Sequence, residues 1–372
     1  MTDSRPILVL CANTSWYVYN FRLNLLRHLQ RRFRTVVVAP EDEYSERLVS
    51  EGWEHRHVPI HQGGAHLPRD VYTLGCLVRI YREIQPRVVC NFTPKAIAFS
   101  SLAAGVVGAE VVNNITGLGR TFTLARRSPV RVVVTFLYRI AGRAASHTFY
   151  QNPRDYSLGL AEGFSSPGAS SLLPGSGVDL RRFRPNVLPL RDSIRILHLA
   201  RLMPEKGTFA FLEAARRMAS IERGRRLEFV VAGPSWALSA EEVRRFDRLC
   251  AAADVESLGM IDDVPALLAN VHAVVLPSSY PEGVPRSLIE AAATGKVLVA
   301  YPNPGSEQIV RDGVNGFVTA GRTVDDLVAS MLKLVKLSES GYRKMAEAGV
   351  ALARREFDER IVLREYLRVL PD

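Results

Sequence analysis

Short apolar runs alternate with stretches of helical spacing along this chain, and that alternation constrains the fold more than any other feature. Residues 6–12 (Pro-Ile-Leu-Val-Leu-Cys-Ala) and 35–40 (Thr-Val-Val-Val-Ala-Pro) read as buried strands, and between them 21–33 sets Phe21, Leu25, Leu26 and Leu29 at helical spacing. The unit recurs with strands at 87–91 and 110–115 around a small-residue helix at 96–105. A second series has strands at 195–199, 227–232, 255–258, 271–276 and 297–300, with helices near 207–222, 239–252, 263–269 and 285–294. Apolar strands joined by helices imply parallel sheets covered on both faces. The predicted class is α/β, with two facing Rossmann-like doubly wound domains whose sheets turn their carboxyl ends to an interdomain cleft. A length of 372 residues accommodates two such domains. The Gly-, Ser- and Pro-rich stretch at 167–189 marks the passage between an N-terminal domain, 1–175, and a C-terminal domain, 176–355. A closing helix at 356–372, with Phe357, Ile361, Tyr366 and Leu370 available to dock, is expected to pack back toward the N-terminal domain.

Hydrophobic residues make up 47% and charged residues 23%, which excludes disordered and collagenous classes. Four scattered cysteines (Cys11, Cys76, Cys90, Cys250) form no C-x-x-C pair and point to a reducing compartment without a zinc ribbon. No apolar run approaches the ~20 residues of a spanning helix, and the opening residues carry no secretion pattern, so a cytoplasmic location is expected. The net charge of +10 is confined to one half: residues 1–190 hold 23 basic and 13 acidic side chains, and the remainder 25 of each. Such asymmetry suits an anionic partner, whether nucleic acid, acidic lipid or a phosphorylated substrate.

The most specific stretch is Pro277-Ser-Ser-Tyr-Pro-Glu-Gly-Val-Pro-Arg-Ser-Leu-Ile-Glu, which leaves a strand through a turn and enters a helix at Pro285. Glu282 in the turn and Glu290 inside the helix can face one site, and the amides near Val284 to Ser287 suit a phosphate; two solvated surface charges are the ordinary alternative. Leu199-Ala-Arg-Leu-Met-Pro-Glu-Lys-Gly places Arg201 and Lys206 after a strand, where two cations could clamp a diphosphate. The basic segment from Arg120 to Arg143 interleaves Arg126, Arg127, Arg131, Arg139 and Arg143 with apolar residues, a pattern that suits an anionic leaflet or a buried helix with a charged outer face.

These motifs, with Gly175-Ser-Gly-Val-Asp, Phe183, Gly305, Glu307 and Asp312-Gly-x-Asn315-Gly316, resemble the retaining family-4 glycosyltransferases. The resemblance implies the GT-B architecture, a UDP-sugar co-substrate and no metal or other cofactor. It assigns Arg201 and Lys206 to the donor diphosphate, Glu282 to donor-sugar hydroxyls, Glu290 to the ribose, and the backbone at Gly283, Val284, Pro285 and Arg286 to donor contacts; Glu282, Arg201 and Lys206 form its catalytic set. Ser15 to Arg22, Asn91-Phe-Thr-Pro-Lys95 and Asn114-Ile-Thr-Gly-Leu-Gly119 resemble a narrower branch that extends polyprenyl-diphosphate-linked sugars, such as the bacillosamine-linked N-acetylgalactosaminyltransferases. That branch implies an acceptor site at Asn20, Arg22, Lys95, Asn114 and Thr116, a lipid-linked saccharide acceptor, and a peripheral place on the anionic inner face of the cytoplasmic membrane. The chain departs from the family where Asn13-Thr-Ser-Trp replaces a glycine-rich loop and Thr116 replaces a histidine, so no catalytic histidine is nominated.

A transferase with a soluble acceptor and a basic nucleic-acid-binding protein are the competing readings; no recognition-helix pattern or interleaved aromatic platform supports the second, so no nucleic acid partner is expected. His55, His57, His61 and His66 match no zinc spacing and read as a polar loop, and neither a dinucleotide fingerprint, a P-loop nor a G-x-S-x-G elbow is present.

Overall fold

Runs such as Ile-Leu-Val-Leu-Cys at 7–11 and Ala-Val-Val-Leu at 273–276 have almost no side chain to offer water, so each forms a strand with neighbours on both sides. The computed structural model describes residues 4–61, 66–219 and 225–371, and the tail of the helix expected at 207–222 falls outside them at 220–222. The chain divides into two compact units: unit 1 spans Met1–Ser176 with Val362–Asp372, and unit 2 spans Gly177–Ile361.

Among the described residues, unit 1 holds the strands β1 (Ile7–Cys11), β2 (Arg34–Ala39), β3 (Glu54–His57), β4 (Val88–Asn91), β5 (Glu110–Ile115), β6 (His147–Tyr150) and β7 (Ser170–Leu172). They form one parallel sheet in the order β3-β2-β1-β4-β5-β6-β7. The connecting helices are α1 (Ser15–Leu29), α2 (Glu43–Ser50), α3 (Leu67–Ile84), α4 (Pro94–Val107), α5 (Pro129–Ala144) and α6 (Pro153–Ala161). One core layer gathers α3, α4 and the inner side of α5, and the other gathers α1, α2 and the C-terminal helix. The strand order reverses between β1 and β4, so the loops after those two strands flank the sheet's topological switch point.

Unit 2 repeats the plan among the described residues with β8 (Ser193–Leu199), β9 (Arg226–Ala232), β10 (Val255–Ser257), β11 (Ala273–Leu276), β12 (Val297–Ala300) and β13 (Gly316–Val318), in the order β10-β9-β8-β11-β12-β13. All pairs are parallel, and the order reverses between β8 and β11. Its helices are α7 (Thr208–Ala219), α8 (Ala240–Ala252), α9 (Val264–Ala269), α10 (Arg286–Ala293), α11 (Val324–Val335) and α12 (Glu339–Glu356), followed by α13 (Glu359–Val369).

Three local expectations are corrected. Helix α1 begins at Ser15, well before Phe21, because the Thr14 hydroxyl accepts from the Tyr17 amide at 3.0 Å and caps it. His55 and His57 lie on β3, an edge strand with half-exposed polar side chains, not in a loop. The closing helix starts at Glu359, not Glu356. Phe357 and Asp358 interrupt it where the Phe357 carbonyl accepts from Val178 and the Glu359 amide donates to the Val178 carbonyl, at 2.8 and 3.1 Å.

Phe357 therefore stays in the core of unit 2, whereas Val362, Tyr366 and Leu370 enter that of unit 1. Tyr366 is fully buried, 4.9 Å from the Phe149 ring centroid, and its hydroxyl accepts from Asn114 Nδ2 at 2.9 Å. No helix among the described residues is long and apolar enough to cross a membrane. Tyr366→Ala is expected to destabilise unit 1 by about 3–5 kcal/mol. Hydrogen exchange would show it as lost protection in β1, β4 and β5 with β8 and β11 unchanged; equal loss in both units would contradict the assignment of Tyr366 to the unit 1 core.

Candidate functional site

Parallel strands expose their carboxyl ends together, so the loops after β8, β11 and β12 share one edge of the unit 2 sheet, with the first two at its switch point. The Glu205 carbonyl ties these loops by accepting from the Ser279 and Tyr280 amides at 2.8 and 3.0 Å. Gly207, at φ +82, permits the approach: a Cβ there would lie 2.1 Å from the Pro277 carbonyl oxygen. Gly305, in the loop after β12, does the same, since a Cβ would sit 1.6 Å from the Gly283 oxygen.

This stitching brings Lys206 and Glu282 into a direct ion pair with side chains only 16% and 10% exposed. Ser278 Oγ donates to the same Glu282 oxygen at 2.9 Å, and the Tyr280 ring centroid lies 5.2 Å from Lys206 Nζ. Asn303 Nδ2 donates to the Ser278 and Tyr280 carbonyls, bracing the turn from the β12 side. On α10, Arg286 Nε donates to Glu290 at 2.6 Å, and both side chains are largely buried. Glu282 and Glu290 are thus held, charge-paired carboxylates rather than solvated ones. Arg201 follows β8, exposed, with no hydrogen bond or ion pair to it among the described residues. Gly283, Val284 and Pro285 are buried at the entry to α10.

Residues 181–350 match the family Glycosyl transferases group 1. They form a group 1 glycosyl transferase domain. Over 279 residues the chain is 23% identical to the UDP-Gal:alpha-D-GlcNAc-diphosphoundecaprenol alpha-1,3-galactosyltransferase of Escherichia coli, covering 72% of this chain and 71% of the relative. It is also 23% identical over 380 residues, 95% of each chain, to the N,N'-diacetylbacillosaminyl-diphospho-undecaprenol alpha-1,3-N-acetylgalactosaminyltransferase of Campylobacter jejuni. Among solved structures, Anabaena HepE in complex with UDP and glucose superposes with a TM-score of 0.77 at 18% identity, over 98% of this chain and 99% of that one. The fold is the two-domain α/β architecture of the GT-B glycosyltransferases.

Sequence reasoning missed four supports of the glycosyl transferase domain: Ser278, Tyr280, Asn303 and Ser306. The first two sit inside the Pro277-Ser-Ser-Tyr stretch; Asn303 and Ser306 carried no signal, because their roles depend on β12 lying next to β11. Among the described residues Ser306 Oγ, beside Gly305, is buried without a hydrogen-bond partner, a polar group that a bound molecule could satisfy.

The expected acceptor residues lie around the other sheet's switch point. The Asn13 amide donates to Thr93 Oγ1 at 3.1 Å, joining the loops after β1 and β4. Thr93 holds φ +87, a conformation β-branched residues avoid, at a cost of about 1–3 kcal/mol that marks the position as constrained. Lys95 pairs with Asp70 at 2.7 Å, and Asn20 Nδ2 donates to the Trp16 carbonyl at 3.0 Å. Arg22 and Asn114 are buried: Arg22 donates to the Tyr17 hydroxyl and lies 4.5 Å from the Phe92 centroid, and Asn114 joins Tyr366 to Gln151. Thr116, half-buried, follows β5.

His198, on β8, donates from Nδ1 to the Val275 carbonyl at 3.0 Å and stacks on Phe211. Burial pushes its pKa down to about 4, opposed by the Val275 bond and aided by the Lys206 charge. The unfolded chain protonates this histidine from about pH 6.5 while the folded one does not, so it withdraws stability as pH falls from 6.5 towards 4. The loss is on the order of 3 kcal/mol at pH 4 relative to pH 7. His198→Gln should flatten that part of the pH–stability curve; an unchanged acid slope would show that the imidazole is not held neutral.

Proposed function

We propose that this chain is a retaining glycosyltransferase that moves a hexose, read here as an N-acetylhexosamine, from a UDP-sugar to a polyprenyl-diphosphate-linked saccharide in cell-surface polysaccharide or glycan assembly. The observation that carries the reading is the largely buried Lys206–Glu282 pair at the unit 2 switch point, a cation and a carboxylate held side by side where such sheets bind ligands. A nucleoside diphosphate leaving group gathers negative charge as the sugar C1–O bond breaks, and preorganised cations stabilise it. Arg201 and Lys206 take the diphosphate, and Glu282 takes sugar hydroxyls. Glu290 takes the ribose hydroxyls, while the backbone from Gly283 through Val284 and Pro285 to Arg286 lines the donor at the start of α10. The acceptor hydroxyl oxygen then bonds to C1 on the face the diphosphate leaves, and its proton passes to the departing diphosphate oxygen. Two side-chain cations supply the charge a divalent ion would otherwise bring, so the reaction requires no metal in this reading.

The acceptor is assigned to unit 1, with Asn20, Lys95 and Thr116 as contacts and the buried Arg22 and Asn114 as supports beneath them. The two relatives named for diphosphoundecaprenol-linked substrates support the lipid-linked acceptor. The charge excess of residues 1–190 supports an anionic membrane surface as partner, at the inner face of the cytoplasmic membrane.

Transfer of radiolabelled sugar from UDP-N-acetylhexosamines to a polyprenyl-diphosphate saccharide in EDTA tests the reading. Glu282→Gln is expected to lower kcat/KM by about 100-fold or more, and to destabilise the fold because it strands a largely buried lysine. The double change Lys206→Met with Glu282→Leu should recover stability without activity. Full transfer by Glu282→Gln, or no transfer from any UDP-sugar, would overturn the assignment.

A further inference from the structure

Helix α5 carries apolar side chains on both faces, with Val134, Leu137, Tyr138 and Ala141 packed on the core. Its buried stripe is Arg131, Thr135, Tyr138 and Ala141, whereas Val130, Val132, Val133 and Phe136 point outward, with Phe136 60% exposed. The inward Arg131 is fully partnered: its guanidinium donates to the Phe122 and Leu124 carbonyls at 3.2 and 2.8 Å and pairs with Glu162 at 3.3 Å. Those bonds hold the preceding loop, which carries exposed Arg126 and Arg127, against the start of the helix. The outward face turns basic towards its other end at Arg139 and Arg143. From Val111 through Arg154 the sequence holds seven arginines and not one aspartate or glutamate.

An exposed apolar ridge has no reason to exist beside water unless something covers it. Here the flanks limit what that is: positive charge at both ends with no acid in the segment repels a second copy of itself and complements an anionic surface. The same helical layer carries a second exposed apolar group, Val71 and Tyr72 near the start of α3. Helices joining parallel strands run back along them, so the first turns of α3, α4 and α5 lie at the carboxyl edge of the sheet, where Lys95 begins α4. An apolar side chain at a lipid interface gains from burial, and arginines beside it meet headgroup phosphates.

We infer that the outer face of α5, with Val132, Val133 and Phe136 inserted and Arg126, Arg127 and Arg143 on headgroups, docks this chain on an anionic bilayer. The inference rests on the lipid-linked acceptor reading for its purpose, but vesicle binding without donor or acceptor tests it separately. Flotation with vesicles of phosphatidylcholine and phosphatidylglycerol should recover the wild-type chain, and vesicles of phosphatidylcholine alone should recover much less. The triple variant Val132→Ser, Val133→Ser, Phe136→Ser should lower partitioning by about tenfold or more with an unchanged melting temperature. Arg126→Gln with Arg127→Gln, confined to an exposed turn, should weaken binding and reduce its salt dependence whether or not the triple variant folds. Transfer to a detergent-dissolved acceptor should be unaffected by either set, so its loss in the wild type would count against the transferase reading and not against docking. Binding by the variants equal to wild type, no binding by the wild type, or a wild-type dimer that the triple variant dissolves would each overturn the inference.

Discussion

The unit 2 site depends on one close approach, that of the loop after β8 to the loop after β11. With no Cβ at Gly207 the chain passes against the Pro277 carbonyl, and the Glu205 carbonyl then collects the amides of Ser279 and Tyr280. Lys206 and Glu282 meet because these backbone contacts leave them no other place. The order matters energetically. A buried ion pair adds little net stability by itself, but breaking it leaves an uncompensated charge, so a scaffold that fixes both loops first is what makes the pair tolerable. Gly305 against Gly283, and Asn303 on the Ser278 and Tyr280 carbonyls, extend the same arrangement to the loop after β12.

Unit 1 shows the same economy at its own switch point with different means. There the loops after β1 and β4 are joined by the Asn13 amide on Thr93, and the strained threonine replaces glycine as the device that brings two loops together. The buried cation Arg22 is accommodated by the Tyr17 hydroxyl, which accepts from it, and by the Phe92 face. Tyr366 completes this core from the C-terminal helix, where its hydroxyl accepts from Asn114 on β5. Arrival of that helix in unit 1 ties the end of the chain to its beginning, which Arg32, donating to the Pro371 carbonyl at 3.0 Å, repeats.

Much of this was legible in the sequence, for a physical reason. A buried parallel strand must be apolar on both faces, so β12 is found at its limits, 297–300. Polar edge strands escape that logic, and β3, with two histidines and a glutamate among four residues, reads as loop. Helix α1 was mislocated because its start is a capping event at Thr14, not a hydrophobic one. At the site, Lys206, Glu282 and Glu290 were visible as charged residues at loop and helix entries. Ser278 stood inside the quoted stretch without a role, and Asn303 was not visible, since its contacts reach the Ser278 and Tyr280 carbonyls from the neighbouring strand's loop. On α5 apolar residues occupy both the buried and the exposed arcs, so their spacing alone does not tell which face is buried.

The account stands or falls on nucleotide binding by the loops at the unit 2 switch point. Calorimetric titration of UDP, GDP and ADP into the purified chain in EDTA, with Arg201→Ala alongside, tests it most directly. Arg201 is exposed, so its removal leaves the fold intact. The account predicts that UDP binds best without metal and that Arg201→Ala weakens it by about tenfold, the order of one charge-assisted contact. Binding that needs a divalent ion, or an Arg201→Ala variant that binds UDP as well as the wild type, would contradict it.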